Sequence, residues 1–181
     1  IPGLVVVCPG TPADNHGLLL AALQSGDPVV YMEHKELWAT SGDVTPGQVV
    51  PLGQARVARA GADVTIVSWS RQLQVCAQAA EQLAAQGVQA ELIDLRTLWP
   101  WDKETVLASA RKTGRLLVVH EAVQVAGFGA EVAATVAEHT AARVARLGAP
   151  RIPVGYAANL EAEARVKADQ IVAAAHRLLA R

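Results

Sequence analysis

Short apolar runs alternate with amphipathic segments along the chain. Residues 63–69 form an apolar run rich in β-branched side chains, which predicts a buried strand. Ser70 follows as a natural N-cap, because its hydroxyl can accept from a free amide of the first helical turn. Gly87 ends the predicted helix. The apolar face of this helix has helical spacing and consists of Leu73, Cys76, Ala80 and Leu83.

The same pattern repeats further along the chain. It predicts a strand over residues 90–95, a turn through Pro100, a helix from the N-cap Asp102 to about Lys112, and a strand over residues 116–120. Strands joined by single helices run parallel in one sheet, with right-handed crossovers. We therefore predict an α/β fold, with an open, mostly parallel sheet between two helical layers.

The first 34 residues predict one β-α-β unit. Its helix begins after the cap Thr11, ends at Gly26, and carries the apolar stripe Leu18, Leu19, Ala22 and Leu23. The unit is too small to bury its own faces. It is either an appendage of the main sheet or the last part of a domain whose front half is missing. We favour the second interpretation.

A loss of periodicity separates this unit from the rest of the chain. We predict a connector over residues 35–50, rich in Gly and Pro, and a larger domain over residues 51–181. Within the larger domain, residues 143–147 predict an edge strand, Pro150 begins irregular chain, and Asp169 opens the final helix.

Composition narrows the class of protein. The chain is 51% hydrophobic with a net charge of −1, which gives no charge-based case for nucleic acid binding. No apolar run reaches the roughly 20 residues that span a bilayer. Cys8 and Cys76 both lie in apolar patterns, which predicts reduced core thiols and a cytoplasmic protein. The start at Ile1, without a methionine, indicates a fragment or a processed product.

The most site-like motif is a glycine turn, Gly127-Phe128-Gly129, that opens a helix after a strand. Such a turn offers free amides to an anion at the strand ends where doubly wound folds bind ligands. The full dinucleotide pattern needs another glycine where Val132 stands. We favour the alternative, a tight turn that lets the helix dock.

Other polar residues form no complete active site. His120 and Glu121 could act as an acid/base pair, but adjacent strand residues point to opposite faces, so we favour a structural or interface role. The five histidines show no metal-ligand spacing. Three tryptophans are candidates for buried interface contacts: Trp38, Trp99 and Trp101.

The order of segments resembles the beta subunits of thiamine-diphosphate-dependent 2-oxoacid dehydrogenases of the pyruvate, branched-chain 2-oxoacid and acetoin types. The similarity covers essentially the whole chain. It is carried by residues 1–9, 27–35, 51–55, 62–68, 93–100, 113–115, 119–122 and 127–131. This resemblance implies a β-α-β remnant of a pyrimidine-binding domain over residues 1–34, followed by a transketolase C-terminal-like domain.

The resemblance also implies the setting in which the chain works. The complete enzyme would carry out oxidative decarboxylation of a 2-oxoacid with acyl transfer to a lipoyl group. Its thiamine diphosphate and Mg²⁺ would be held outside this segment. The implied partners are an alpha subunit, a second beta subunit and a dihydrolipoyl acyltransferase core. The segment alone is expected to be inactive. The alternative is a free-standing transketolase C-terminal-type interaction module without thiamine chemistry.

A monovalent cation site is predicted at the end of the first helix. The last carbonyls of a helix are free and lie at the negative end of its dipole, and hard cations accept oxygen ligands. The resemblance implies potassium at this turn, with backbone oxygens of Ala22, Leu23 and Ser25 and the side chain of Asp27 as ligands. The alternative is an ordinary helix end with its carbonyls on water.

Overall fold

Eight strands and six α-helices follow one another along residues 1–180, the part of the chain that this computed structural model describes. Arg181, the last residue of the predicted larger domain, lies outside it. The strands are β1 (Val5–Val7), β2 (Val29–Tyr31), β3 (Arg56–Arg59), β4 (Val64–Ser68), β5 (Ala90–Asp94), β6 (Thr97–Trp99), β7 (Arg115–Val123) and β8 (Arg143–Ala149). The helices are α1 (Pro12–Gln24), α2 (Gln72–Ala85), α3 (Lys103–Thr113), α4 (Gly129–His139), α5 (Ala158–Glu163) and α6 (Ala168–Leu179).

The larger sheet has five strands in the order β3-β5-β4-β7-β8. Strands β5, β4, β7 and β8 run parallel, and β3 pairs antiparallel with β5 at one edge. Helices α2 and α6 cover one face, where Leu83 and Ile171 join a buried apolar cluster. Helices α3 and α4 cover the other face, where Val106 and Val132 join a second cluster. The predicted three-layer α/β fold is confirmed.

The first 34 residues, which we call the N-terminal unit, do not extend this sheet. Strands β1 and β2 pair in parallel, and β6 joins them antiparallel to give a separate sheet of order β2-β1-β6. The prediction of a plain turn around Pro100 was wrong at residues 97–99, which form β6. Three residues are too few to show a period, and their partner β1 lies about 90 residues earlier. The backbone N–H of Cys8 also donates to the carbonyl of Arg96 at 2.8 Å.

Helix α1 is capped as predicted, because Thr11 Oγ1 accepts the backbone N–H of Asp14 at 3.1 Å. Its predicted apolar stripe was only partly right, since Leu18 is buried whereas Leu19 and Leu23 are 42% and 76% exposed. The helix covers a sheet of only three strands, so a narrow face suffices. That face consists of Asp14, Gly17, Leu18 and Ala21.

Helix α2 buries its four predicted apolar residues, but its predicted cap was wrong. Ser70 has a φ of 52°, and its carbonyl, not its hydroxyl, accepts a hydrogen bond, from Leu73 N–H at 3.1 Å. Asp102 caps α3 as predicted, accepting from Thr105 N–H at 3.0 Å. Helix α6 begins after Lys167 rather than Asp169, and the short helix α5 lies in chain predicted to be irregular.

Candidate functional site

The carboxyl ends of β4 and β7 form the crevice where an open α/β sheet binds ligands, because the strand order reverses between them. In this chain, aromatic side chains fill that crevice. Trp69 stacks on His120 with ring centroids 5.5 Å apart and meets Phe128 edge-on at 6.0 Å. Trp101 meets Phe128 edge-on at 6.3 Å. Trp69 and Trp101 are 9% and 5% exposed, so the crevice is packed rather than open.

His120 is held as a neutral side chain within this packing. It is 1% exposed, and its Nδ1 lies 2.9 Å from the carbonyl of Ala122, which makes Nδ1 the donor. Burial lowers its pKa. Among the described residues, its Nε2 has no hydrogen-bond partner. A neutral, enclosed imidazole is suited to packing.

Three glycines close around the His120 ring. A Cβ atom on Gly129 would lie 2.6 Å from Nε2 of His120, and one on Gly127 or Gly148 would lie 2.6 or 2.7 Å from its Cε1. Real Cβ contacts are longer than this. The glycine turn at 127–129 therefore lets α4 dock against His120, which supports the packing interpretation over an anion site.

Glu121 pairs with His34, the last residue of the N-terminal unit. Its Oε2 lies 3.0 Å from Nε2 of His34, and Nδ1 of His34 accepts the backbone N–H of Glu36 at 3.2 Å. Nε2 of His34 therefore carries the proton that faces Glu121. The expected separation of His120 and Glu121 is present, and sequence analysis missed the contact with His34 because 87 positions separate the pair.

A cleft of about 460 Å³ lies at the carboxyl ends of β1 and β2, beside the start of α1. Two of its polar side chains pair with each other, since Asn15 Nδ2 donates to Glu33 at 2.9 Å. Asn15 Oδ1 also accepts from the hydroxyl of Tyr31 at 2.9 Å. His16 Nε2 accepts the backbone N–H of Gly47 at 3.3 Å. The rim carries Trp38, which is 68% exposed. The cleft thus has a mixed lining, in which Asn15, His16 and Glu33 already hydrogen-bond within the protein.

Four charged residues meet where the N-terminal unit contacts the larger sheet; we call Asp14, Arg56, Asp94 and Arg96 the joint cluster. Arg96 Nη2 lies 2.6 Å from Asp14 Oδ1. Arg56 Nη2 lies 3.5 Å from Asp14 and 3.3 Å from Asp94. Asp14 and Asp94 are 2% and 0% exposed. Burial, then the charge of Asp14, raises the pKa of Asp94 to about 6.

The residues of the predicted cation site lie in one turn at the end of α1. Ser25 N–H donates to the Ala22 carbonyl at 3.2 Å, and the backbone N–H of Asp27 donates to Ser25 Oγ at 3.1 Å. Leu23 and Asp27 are exposed. Hard oxygen donors are therefore adjacent, and the site stays a prediction. Residues 1–180 contain no group of three or more His, Cys, Asp or Glu side chains placed to hold a metal ion.

No helix within residues 1–180 combines the length and the apolar character that crossing a membrane requires.

Comparison with known proteins gives the family. Residues 53–171 match the family model described as the transketolase C-terminal domain. The chain belongs to this family. The match spans β3 to β8, and these strands include the two that form the crevice.

Relatives that match nearly the whole chain are beta subunits. The chain is 42% identical to the mitochondrial pyruvate dehydrogenase E1 component subunit beta of Dictyostelium discoideum, covering 100% of this chain and 53% of that protein. It is 41% identical to the acetoin:2,6-dichlorophenolindophenol oxidoreductase subunit beta of Cupriavidus necator, covering 99% and 54%. It is 39% identical to the 2-oxoisovalerate dehydrogenase subunit beta of Bacillus subtilis, covering 98% and 56%. The chain spans about half the length of these relatives, and the predicted resemblance to beta subunits is confirmed.

A solved structure agrees on the fold. The chain described as "Split gene transketolase, inactive beta4 tetramer" superimposes with a TM-score of 0.85 at 26% identity. The match covers 99% of this chain and 59% of that chain.

Proposed function

We propose that this chain is the C-terminal part of the beta subunit of a 2-oxoacid dehydrogenase complex. The observation that carries the proposal is its similarity to three kinds of dehydrogenase beta subunit over at least 98% of its length. The activity proposed for the complete enzyme is oxidative decarboxylation of a 2-oxoacid, with acyl transfer to a lipoyl group.

The proposed role of this segment is assembly rather than chemistry. Its sheet crevice is filled by Trp69 and His120, and in its cleft beside α1 the side chains of Asn15 and Glu33 are paired with each other. In the complete enzyme, thiamine diphosphate with Mg²⁺ supplies the decarboxylation chemistry. In the proposed assembly, the Mg²⁺ site is carried by another part of the enzyme.

The proposed partners are an alpha subunit, a second beta subunit and a dihydrolipoyl acyltransferase core. The three-stranded sheet supports contact with a partner subunit. Its strands β1 and β2 are parallel, and parallel strands are ordinarily buried on both faces. The pairing register sets Val6 beside both Val30 and Trp99, and the last two are 40% and 52% exposed. We place residues 1–34 in a pyrimidine-binding domain, with 35–50 as connector and 51–181 as the C-terminal domain.

Assembly gives the test of this proposal. The chain is mixed with the alpha subunit of a similar dehydrogenase, and its mass is followed by light scattering after size-exclusion chromatography. We expect a mixed complex with the alpha subunit, with or without self-association of the chain, and we expect Trp99→Lys to weaken it. The matched control Val57→Lys, on the exposed side of edge strand β3, leaves assembly unchanged. A clean monomer with and without the alpha subunit contradicts the proposal.

Cofactor binding gives a second, independent measurement. We expect titration calorimetry with thiamine diphosphate and Mg²⁺ to detect no binding to the isolated chain. Micromolar binding would contradict the assignment of cofactor chemistry to the rest of the enzyme.

The alternative function is a free-standing interaction module without thiamine chemistry. The observation that favours it is the name of the structural neighbour, an inactive tetramer of beta chains. Stable self-assembly of this chain, with no affinity for any alpha subunit, would favour the module over the dehydrogenase.

We also propose that the turn after α1 holds K⁺, through backbone oxygens of Ala22, Leu23 and Ser25 and the carboxylate of Asp27. Support comes from the hydrogen bond between Ser25 and Ala22, which keeps these oxygens in one turn. We expect KCl to raise the melting temperature more than NaCl at equal ionic strength, and Asp27→Ala to remove the difference. Asp43→Ala, an exposed connector residue, is the matched control. Equal melting temperatures in the two salts contradict the site.

A further inference from the structure

The joint cluster bridges two separately built parts of the molecule. Asp14 lies on α1 of the N-terminal unit, whereas Arg56 lies on β3 and Asp94 ends β5 of the larger sheet. Arg96 follows β5 in a left-handed conformation with a φ of 61°, and its guanidinium crosses to Asp14. The N-terminal unit also covers Asp94, because a Cβ atom on Gly10 would lie 3.5 Å from Asp94 Oδ2.

The carboxylates of Asp14 and Asp94 differ in the hydrogen bonds and opposite charges that stabilise them. Asp14 accepts from Arg96 at 2.6 Å and from the hydroxyl of Thr11 at 2.8 Å. Asp94 accepts the backbone N–H of Arg96 at 3.1 Å and has only a longer contact to Arg56, at 3.3 Å. The Arg56 side chain is 35% exposed, and its Nη2 also faces Asp14 at 3.5 Å. Asp94 is thus a fully buried carboxylate that shares a partly solvated cation with a second carboxylate.

We propose that the joint cluster is a proton-linked joint, in which the N-terminal unit docks most firmly when Asp94 carries a proton and less firmly once that proton has left. A buried carboxylate near a like charge favours its neutral form, whereas undocking returns it to water. The docked state therefore binds the proton more tightly, and by linkage the proton favours the docked state.

The direction of the effect follows from the charged groups around Asp94. Burial and Asp14 raise its pKa from 3.8 to about 6, against the opposing charges of Arg56 and Arg96. The thiol of Cys8 also faces Asp94, and its pKa is raised to about 12, so it stays neutral throughout the range. The contribution of the proton to docking is therefore complete below about pH 4, falls between pH 4 and 6, and is lost once the pH has risen through about 6.

Hydrogen exchange on the 181-residue chain tests this inference. The Met32 amide, which donates to the Val7 carbonyl at 2.8 Å, reports on the N-terminal unit, and the β7 amides report on the larger sheet. After correction for intrinsic exchange, we expect the opening constant at Met32 to rise by about tenfold between pH 5 and 7.5, since pH 5 lies one unit below the pKa of docked Asp94 and each such unit is a factor of ten. The β7 amides lack this increase.

Two variants keep the inference falsifiable. Asp94→Asn removes the titrating group, so the opening of Met32 becomes independent of pH, whereas the exposed control Asp43→Asn behaves like the parent. If Asp94→Asn fails to fold, Asp14→Asn replaces it, because loss of the neighbouring charge lowers the midpoint of Asp94 and shifts the opening profile by the same amount. Carbon NMR of the Asp94 carboxyl gives that midpoint directly. A midpoint below about 4.5, or equal pH profiles at Met32 and β7, overturns the inference.

Discussion

The imidazole of His120 lies flat against the indole of Trp69, with ring centroids 5.5 Å apart and planes inclined by 22°. Three glycines press against the other sides of the same imidazole. The stacking of His120 on Trp69 closes the crevice of the larger sheet. The close approach of the backbone to His120 explains why α4 begins with a glycine turn.

The first prediction concerns Gly129→Ala. The new Cβ would lie 2.6 Å from His120, so α4 must shift, and we expect a loss of about 1–3 kcal/mol in the free energy of unfolding. Urea denaturation measures it. The control Gly26→Ala adds a methyl group where nothing lies within 4 Å and leaves stability nearly unchanged. Equal effects of the two substitutions would show that the contact with His120 carries no constraint.

The second prediction concerns acid stability and His120. Burial lowers the folded-state pKa of His120 below its ordinary 6.5, so the unfolded state binds more protons in that window. The stability contributed by neutral His120 is therefore present above pH 6.5 and is lost as the pH falls below it. In His120→Phe, which keeps an aromatic ring against Trp69, we expect a smaller loss of stability between pH 7 and 5.

The matched control for that comparison is His16→Phe, at a half-exposed position on α1. Asp94 contributes equally to the parent and to the variant, so its opposite pH dependence cancels in the difference between their free energies of unfolding. An unchanged slope in His120→Phe would contradict the prediction.

The third prediction concerns Lys112 and the buried carboxylate of Glu91. Glu91 is 4% exposed in β5, and Ser109, the backbone of Gly61 and above all Lys112 hold its pKa below the ordinary value against the opposing effect of burial. Lys112→Met leaves this carboxylate without its cation. Because Lys112 is half-exposed, we expect a loss of about 1–2 kcal/mol at pH 7, less than for a fully buried pair.

The pH dependence separates this effect from a loss of packing. A carboxylate with a lowered pKa stabilises the fold above its unfolded pKa and loses that contribution as the pH falls. The difference between parent and Lys112→Met should therefore shrink from pH 7 to pH 4, as thermal denaturation can measure. A difference that is constant with pH would indicate lost packing alone.

The fourth prediction concerns the connector. Glu36 is held by Arg165 and Arg71, and these hydrogen bonds lower its pKa to about 2. The pair is largely solvent-exposed, so Glu36→Gln should change global stability by less than about 1 kcal/mol. It should instead speed tryptic cleavage after Lys35, and added salt should reduce the difference. Glu163→Gln, in a looser 3.8 Å pair with Lys167, is the control and leaves that cleavage unchanged.

The elements around the candidate site could be anticipated because their signals are local. The cap Asp102 and the apolar face of α2 depend on residues three or four positions apart, and both are present. The failures occurred where a distant partner decides the outcome. Serine is a residue type that favours the N-cap position, but Ser70 has a positive φ in the turn after β4. Its carbonyl, rather than its hydroxyl, therefore accepts the hydrogen bond from the start of α2.

The sequence by itself determined the alternation of strands and helices, the layers of the larger sheet and the family, because periodicity and segment order are written along the chain. Only the tertiary structure decided that β6 would leave the larger unit and pair with β1, and that Asp14 would meet Asp94. The physical reason is that pairing edges, buried charges and close glycine contacts depend on which surfaces meet in space. A pattern of a few residues carries no information about a partner 80 or 90 positions away.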